Sequence, residues 1–236
     1  MALRVENLDV TLGGVAVVRS ASLLIGAGEI ACLLGRNGSG KTSLLRGILG
    51  LVPARGRVVL DGVEVNRFPP DRRWRQGFRY VPQGRRLFPK LSVEENLQLG
   101  GCRGEGEVWP SKILALFPQL TERRSQLAGT LSGGEQQAVS IARAMFEPGQ
   151  AYVLDEPSEG LMPGARASLR EALEHVRRSG ASVLMAEQDV RFALAVSGHA
   201  YVLEQGKVCY DDGAEALRKD RSTLKRVLGL GSRYVG

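Results

Sequence analysis

The chain has 236 residues, 43% of them hydrophobic and 24% charged, a composition that fits a globular protein and excludes a disordered or fibrous one. The formal net charge of +7 would suit nucleic acid, anionic lipid or a polyphosphate ligand, but the arginines are spread along the chain, which favours a solvated basic surface. No linker divides the sequence, and its length allows one large or two small lobes around a substantial core.

Membrane and redox signals are weak in this sequence. No apolar run approaches the roughly 20 residues of a membrane span, and the start lacks the apolar core of a secretion signal. Cys32, Cys102 and Cys209 are far apart and odd in number, which argues against a disulfide framework or a zinc site. We therefore expect reduced thiols in the cytoplasm, and we expect any membrane role to depend on a partner.

The first 65 residues are predicted to form an antiparallel β layer. Its first strand shows the alternation of a half-buried strand, with apolar residues at Leu3, Val5, Leu8, Val10 and Leu12. Farther along, an apolar run that ends at Asp61-Gly62 predicts a β-hairpin. No aromatic residue precedes Phe68, so this layer offers no ring to stack on a nucleotide base.

A phosphate-binding loop lies within this layer at residues 35–42, where two glycines, a lysine and a hydroxyl residue have P-loop spacing. Glycines let successive backbone N–H groups curl around an anion, Lys41 adds a point charge, and Thr42 offers a hydroxyl to Mg²⁺. The apolar run before the loop predicts a buried parallel strand, and the apolar period after it, ended by Gly50, predicts a helix. The candidate nucleotide-binding residues are Gly35, Arg36, Asn37, Gly38, Ser39, Gly40, Lys41, Thr42 and Ser43.

A mainly helical lobe is predicted from about residue 84 to residue 146. A short strand ends just before it at Gln83, and Ser92 and Glu95 then have the spacing of a capping box. Within the lobe, residues 131–137 read Leu-Ser-Gly-Gly-Glu-Gln-Gln and precede a helix with one apolar face. The serine can cap that helix and the two glycines leave backbone N–H groups open, so this segment is a second candidate anion site.

Two adjacent carboxylates follow the apolar run 151–154, at the edge of the sheet where ligands of parallel sheets bind. Asp155 is suited to hold Mg²⁺, and Glu156 is suited to orient or deprotonate an attacking water. An amphipathic helix and the apolar strand 182–186 come next, which predicts a parallel crossover that delivers Gln188. A hairpin and a short closing helix are predicted after it.

The order of these motifs resembles that of an ABC ATPase over the whole chain. The features that carry the resemblance are the phosphate loop, Gln83, the segment 131–137, Asp155-Glu156 and the switch position at Gln188. The resemblance implies ATP and Mg²⁺ as cofactors, and head-to-tail dimers in which the signature of one subunit caps ATP on the phosphate loop of the other. The implied signature residues are Leu131, Ser132, Gly133, Gly134, Glu135 and Gln136.

The same resemblance implies the fold. The expected class is α/β, a P-loop ABC ATPase with a RecA-like core, an N-terminal antiparallel β layer and an inserted helical lobe. Residues 1–236 would form a single ABC ATPase domain, with the nucleotide-binding core in residues 1–83 and 147–236 and the helical subdomain in residues 84–146.

The resemblance also implies roles at the site. The implied catalytic residues are Glu156, Gln188 and Lys41. The implied magnesium ligands are Thr42, Gln83 and Asp155. Phosphoryl transfer needs mainly positioning and charge neutralisation, which Lys41, Mg²⁺ and the signature of the opposing subunit would provide.

A finer resemblance is to the second ATP-binding subunit of branched-chain amino acid importers and the related urea importers, because residues 80–97 and 186–188 are typical of that branch. It implies an ATP-hydrolysing importer subunit, peripheral at the cytoplasmic face of the membrane. Its partners would be integral-membrane permease subunits, whose cytoplasmic helix docks near residues 88–97, and, indirectly, an extracytoplasmic binding protein, with no nucleic acid.

Three positions depart from the wider ABC pattern. Leu12 stands where an aromatic residue usually stacks on adenine, so we expect weaker nucleotide affinity and poor preference for ATP over GTP. Gln188 replaces the usual switch histidine and cannot titrate near neutral pH, and Met162 replaces the aspartate usual in the loop after Glu156. We therefore expect a working dimer with a second, different ABC ATPase, with a self-dimer as the alternative.

Other functions stay open on these residues. An ATPase of a urea or amide importer belongs to the same branch. A soluble ABC ATPase acting on nucleic acid or ribosomes is disfavoured, because the sequence has neither the long coiled-coil insertion of repair relatives nor the tandem cassettes of translation relatives. A small kinase or GTPase would use the phosphate loop but would leave the segment 131–137 unexplained.

Overall fold

The computed structural model describes residues 3–101 and 111–228, which form two β-sheets with helices packed on them. A four-stranded sheet has the strand order β2-β1-β4-β5, and a six-stranded sheet has the order β10-β9-β3-β8-β7-β6. The strands are β1 (Leu3–Leu12), β2 (Val15–Ile25), β3 (Ile30–Leu34), β4 (Ala54–Leu60), β5 (Val63–Glu64), β6 (Phe78–Val81), β7 (Ala151–Asp155), β8 (Ser182–Glu187), β9 (His199–Glu204) and β10 (Lys207–Gly213).

The predicted antiparallel layer is confirmed by β1, β2, β4 and β5. Along β1 the buried positions change parity, from Leu3 and Val5 to Leu8 and Val10. Asn7, in the left-handed region with φ 48°, lies at this change, and the pairing register with both neighbouring strands shifts there. The bulge therefore keeps both halves of the strand facing the same core.

The six-stranded sheet brings four functional segments to one edge. Strands β3, β6, β7, β8 and β9 run parallel, and β10 pairs with β9 as the predicted antiparallel hairpin. Every residue of β3, β7 and β8 is buried, as their unbroken apolar runs predicted. Since the carboxyl ends of parallel strands lie at one edge, the phosphate loop after β3, Gln83 after β6, Glu156 after β7 and Gln188 after β8 share that edge.

Alternate residues of the central strands pack into two hydrophobic cores, which lie on opposite faces of the six-stranded sheet. Cys32 and Leu34 of β3 pack in the core that contains the helices, whereas Ala31 and Leu33 pack in the core shared with the antiparallel sheet. Both faces are thus covered, and the α/β fold class predicted from the sequence is confirmed. Of the cysteines, Cys32 and Cys209 form no disulfide among the described residues, and Cys102 lies outside those residues.

The helices lie between and around these strands. They are α1 (Lys41–Ile48), α2 (Pro70–Gln76), α3 (Val93–Gln98), α4 (Ser111–Leu116), α5 (Pro118–Glu122), α6 (Gly133–Ala144), α7 (Pro163–Arg178), α8 (Val190–Val196), α9 (Ala214–Lys219) and α10 (Arg221–Leu228). The predicted capping box at the start of α3 is confirmed, because Ser92 accepts from the Glu95 backbone and Glu95 accepts from the Ser92 backbone. Within the described ranges, no helix is long and apolar enough to cross a membrane.

Candidate functional site

The phosphate loop connects β3 to α1, and its backbone carbonyls accept hydrogen bonds from the lysine at the end of the loop. The Lys41 ammonium donates to the carbonyl oxygens of Gly35 at 2.8 Å and Arg36 at 3.4 Å. Gly40 has a positive φ of 108°, and an added Cβ would lie 2.7 Å from the Val17 carbonyl oxygen, so glycine is required there. Burial lowers the pKa of Lys41, and the nearby carboxylates, Glu156 first among them, act in the opposite direction.

The remaining loop residues differ in exposure. Arg36, Asn37 and Gly38 are exposed, whereas Ser39 is buried and its Oγ has no hydrogen-bond partner among the described residues. A buried hydroxyl without an acceptor or donor is uncommon, and a bound phosphate oxygen would satisfy it. The predicted nucleotide-binding residues thus lie on the loop 35–40, which follows β3, and in the first turn of α1.

Asp155 and Thr42 form a pair of oxygen donors below the loop. The Thr42 hydroxyl donates to Asp155 Oδ1 at 3.1 Å, while Asp155 Oδ2 is buried with no hydrogen-bond partner among the described residues. Burial raises the pKa of Asp155, and the bond from Thr42 opposes that shift. The described residues contain no cluster of three or more His, Cys, Asp or Glu that could bind a metal unaided. The pair fits Mg²⁺, which commonly takes one or two protein oxygens and completes its shell with phosphate and water.

Glu156 is held from both sides by amide groups. Gln83 Nε2 donates to its Oε2 at 2.9 Å, and Gln188 Nε2 donates to its Oε1 at 2.6 Å. The backbone of Glu156 lies in the left-handed region with φ 53°, and its N–H donates to the Ala186 carbonyl at 2.9 Å. The structure therefore brings the three predicted residues Gln83, Glu156 and Gln188 into one network at the sheet edge.

Glu187 is a buried carboxylate to which the sequence analysis gave no role. It is 2% exposed, and its Oε1 accepts from the Ser158 backbone N–H at 2.8 Å, so it anchors the loop that follows Glu156. Burial raises the pKa of Glu187 to about 7. The sequence signal that could have indicated this residue is the position of a charged side chain directly after the apolar run of β8.

The signature segment is a separate site in this chain. Ser132 caps α6 through a capping box with Glu135, and an added Cβ on Gly134 would meet nothing within 4 Å. Within the described ranges, no hydrogen bond joins residues 131–136 to residues 35–43. Helix α6 contacts the loop that follows Glu156, where Gln137 Nε2 donates to the Pro157 carbonyl at 3.1 Å.

The positions that depart from the ABC pattern lie at the surface. Leu12 is 37% exposed at the end of β1, and Met162 is 76% exposed at the N-terminus of α7. Both side chains are therefore available to contact a ligand or a second subunit.

Comparison with known proteins gives consistent results. A family model described as an ABC transporter matches residues 18–159. The chain is 37% identical over 231 residues to the high-affinity branched-chain amino acid transport ATP-binding protein BraG of Pseudomonas aeruginosa, covering 96% of this chain and 99% of BraG. It is 32% identical over 236 residues to the lipopolysaccharide export system ATP-binding protein LptB of Escherichia coli, covering 96% and 97% of the two chains.

A solved structure shows the same architecture. A nucleotide-free ATP-binding cassette from an ABC transporter matches with a TM-score of 0.84 at 25% identity, covering 98% of this chain and 100% of that one. The similarity therefore extends over both sheets and the helical region between β6 and β7.

Proposed function

The chain belongs to the ABC transporter family as an ATPase subunit, and from this premise we propose that it drives a branched-chain amino acid importer. The observation that carries hydrolysis is the network in which Gln83 and Gln188 hold the two carboxylate oxygens of Glu156. Support for the transported substrate comes from BraG, whose full length is matched at 37% identity.

In the proposed mechanism, the phosphate loop binds the phosphates of ATP. Lys41 exchanges the carbonyl oxygen of Gly35 for phosphate oxygens, and the N–H groups at the start of α1 complete the anion site. Thr42, Gln83 and Asp155 would hold Mg²⁺, which neutralises charge on the phosphates when bound.

Glu156 is the proposed general base. It takes a proton from the attacking water, whose oxygen bonds to the γ-phosphorus as the bridge to ADP breaks. Gln83 and Gln188 keep the carboxylate oriented, and the Gln188 amide can also donate to the γ-phosphate. The catalytic set in this proposal is therefore Lys41, Glu156 and Gln188.

Hydrolysis in this proposal requires a second ATPase subunit. Leu131, Ser132, Gly133, Gly134, Glu135 and Gln136 would cap the nucleotide on the phosphate loop of that subunit. The separation of the two anion sites within one chain supports this arrangement, because the phosphate loop has no signature segment of its own chain beside it. The neutral Gln188 and the exposed Met162 favour a different ATPase as the second subunit.

Membrane attachment is proposed to come from permease subunits. Phe88 is 54% exposed in the segment that leads into α3, and it is a suitable anchor for a cytoplasmic permease helix near residues 88–97. The proposed location is therefore peripheral, at the cytoplasmic face of the membrane. We place residues 84–146 in a helical subdomain and the remainder of the single domain in the nucleotide-binding core.

The test is transport by a reconstituted complex. The chain is purified with its co-purifying membrane subunits and binding protein, and uptake of labelled leucine into vesicles is measured with ATP supplied on the cytoplasmic side. We expect uptake that Glu156→Gln abolishes. If leucine, isoleucine and valine all left ATP turnover unchanged, the import proposal would be contradicted. Uptake of urea in place of an amino acid would identify urea as the transported substrate.

The similarity to LptB supports a second candidate, the ATPase of an export system. The same vesicles distinguish it, because an exporter would extract a lipid from the membrane in an ATP-dependent manner without amino acid uptake.

A further inference from the structure

The turn that follows Gln83 has an unusual backbone. Gly84, Arg85 and Arg86 all lie in the left-handed region, with φ of 76°, 66° and 44°. For residues with a side chain this conformation is unfavourable, so it persists only where its surroundings hold it. The Arg86 N–H donates to the Gly84 carbonyl at 2.7 Å, and Arg143 on α6 donates to the Arg86 carbonyl at 3.0 Å.

This turn places the Arg85 side chain against the signature segment. An added Cβ on Gly133 would lie 2.6 Å from Arg85 Nη2 and 3.0 Å from its Cζ, so the guanidinium fills the space that a side chain at Gly133 would need. Arg85 Nη2 would also lie 3.5 Å from an added Cβ on Gly160, in the loop after Glu156. Arg85 therefore lies between the signature and that loop.

The charge of Arg85 is uncompensated within the described residues. Its one described acceptor is the neutral Gln136 Oε1, at 3.4 Å from Nη1, and no described carboxylate forms an ion pair with it. Glu135, the acidic residue of the α6 first turn, pairs with Arg123 at 2.8 Å instead. A guanidinium has five N–H donors, so most of the hydrogen-bonding capacity of Arg85 is unused.

The helix beneath Arg85 adds to this positive charge. The N-terminus of α6 carries the positive end of a 12-residue helix, where a cation is unfavourable and an anion is favourable. A fixed cation and a positive helix end side by side are electrostatically suited to an anion with several oxygens, such as a phosphate.

We propose that Arg85 is a catalytic residue that contacts the γ-phosphate of the nucleotide bound to the opposing ATPase subunit, next to Ser132 and Gly134. This inference rests on the proposed head-to-tail dimer. During transfer, the water oxygen bonds to the γ-phosphorus, the bond to ADP breaks and the proton goes to Glu156, while Arg85 stays protonated and stabilises the charge on the γ-oxygens. It supplies in trans a positive charge that the neutral Gln188 cannot supply in cis.

The test compares neighbouring arginines in the assembled transporter. Arg85→Gln and the matched control Arg86→Gln remove one charge each from the same turn, and Arg85→Lys keeps the charge. We expect Arg85→Gln to lower kcat for ATP at least about 10-fold with little change in KM, Arg85→Lys to recover part of the loss, and Arg86→Gln to stay within about 2-fold. The ADP affinity of the single chain should be unchanged in all three, because Arg85 acts on the opposing nucleotide.

Two outcomes would overturn this inference: equal kcat for Arg85→Gln and Arg86→Gln, or Arg85→Lys as slow as Arg85→Gln. If Arg85→Gln fails to fold, Arg85→Lys is compared with Arg86→Lys. Only Arg85→Lys should lower kcat, because it removes the planar guanidinium from the position that contacts the phosphate. Ser132→Ala separates the two proposals. If Ser132→Ala lowers turnover and Arg85→Gln does not, only the role proposed for Arg85 is rejected. If neither variant lowers turnover, the proposed head-to-tail dimer is rejected as well.

Discussion

The phosphate loop and the signature segment are built alike, each a glycine-containing turn that leads into a helix, yet their polar groups find different partners. In the phosphate loop, Lys41 donates to backbone carbonyls and Thr42 donates to Asp155 within the chain. In the signature segment, Gly134 faces open space and Arg85 lacks an anionic partner among the described residues. The difference supports the proposal that one chain binds nucleotide, whereas turnover needs the signature of another.

The largest effect should come from Glu156→Gln. A glutamine keeps the shape, and an amide flip in Gln83 or Gln188 preserves the contacts, but the proton acceptor is lost. We expect hydrolysis to fall about 100- to 10,000-fold while nucleotide binding is retained, measured as phosphate release and ATP affinity. Glu159→Gln, an exposed neighbour, is the control. Equal turnover in the two variants would place the base elsewhere.

A smaller effect is expected from Glu187→Gln on the pH dependence of stability. The folded chain holds a proton on Glu187 up to its pKa of about 7, whereas the unfolded chain loses it near 4.5. Stability from this group is therefore present below pH 4.5 and is lost as the pH rises towards 7. Over that window the wild type should lose up to about 3 kcal/mol more unfolding free energy than the variant, measured by urea titration.

The control for that series is Glu171→Gln, which changes an exposed glutamate on α7 and should follow the wild-type curve. Parallel curves for the wild type and Glu187→Gln would show that Glu187 is already ionised in the folded chain. The Ser158 N–H would then donate to a charged carboxylate, and the stability of the loop that follows Glu156 would not depend on the protonation of Glu187.

The smallest effect should come from Leu12→Tyr. An aromatic ring at this exposed position could stack on adenine, and such stacking contributes about 1–3 kcal/mol. We expect tighter ATP binding and a greater preference for ATP over GTP, measured by competition. Leu24→Tyr, at another exposed leucine of the same sheet, should change neither. Strong ATP selectivity in the unaltered chain would contradict the role given to Leu12.

Elements with strong local signals were predictable from the sequence. The buried strands β3, β7 and β8 each contain an unbroken apolar run, and the caps Ser92 and Ser132 have their glutamates three residues later. The helix α2 was not predicted, because Pro70–Gln76 is short and rich in arginine and lacks an apolar period. It is held by a tertiary contact, since the Arg73 guanidinium binds carbonyls at the end of α1.

The candidate site was predictable in its parts and not in its connections. Residue types and strand ends located Gln83, Glu156 and Gln188, but their mutual hydrogen bonds depend on strand order and on a left-handed backbone at Glu156. The approach of Arg85 to Gly133 depends on a turn with two non-glycine residues at positive φ, which residue propensities do not indicate. Such contacts follow from tertiary structure alone.

The most direct measurement compares Lys41→Ala and Ser132→Ala in two assays, nucleotide binding by the single chain and ATP turnover by the assembled complex. Ser92→Ala removes the same kind of helix cap and calibrates the stability that Ser132→Ala loses. The account predicts that Lys41→Ala abolishes both activities, whereas Ser132→Ala lowers turnover about 100-fold and leaves single-chain binding unchanged. Full turnover by a correctly folded Ser132→Ala complex would contradict it.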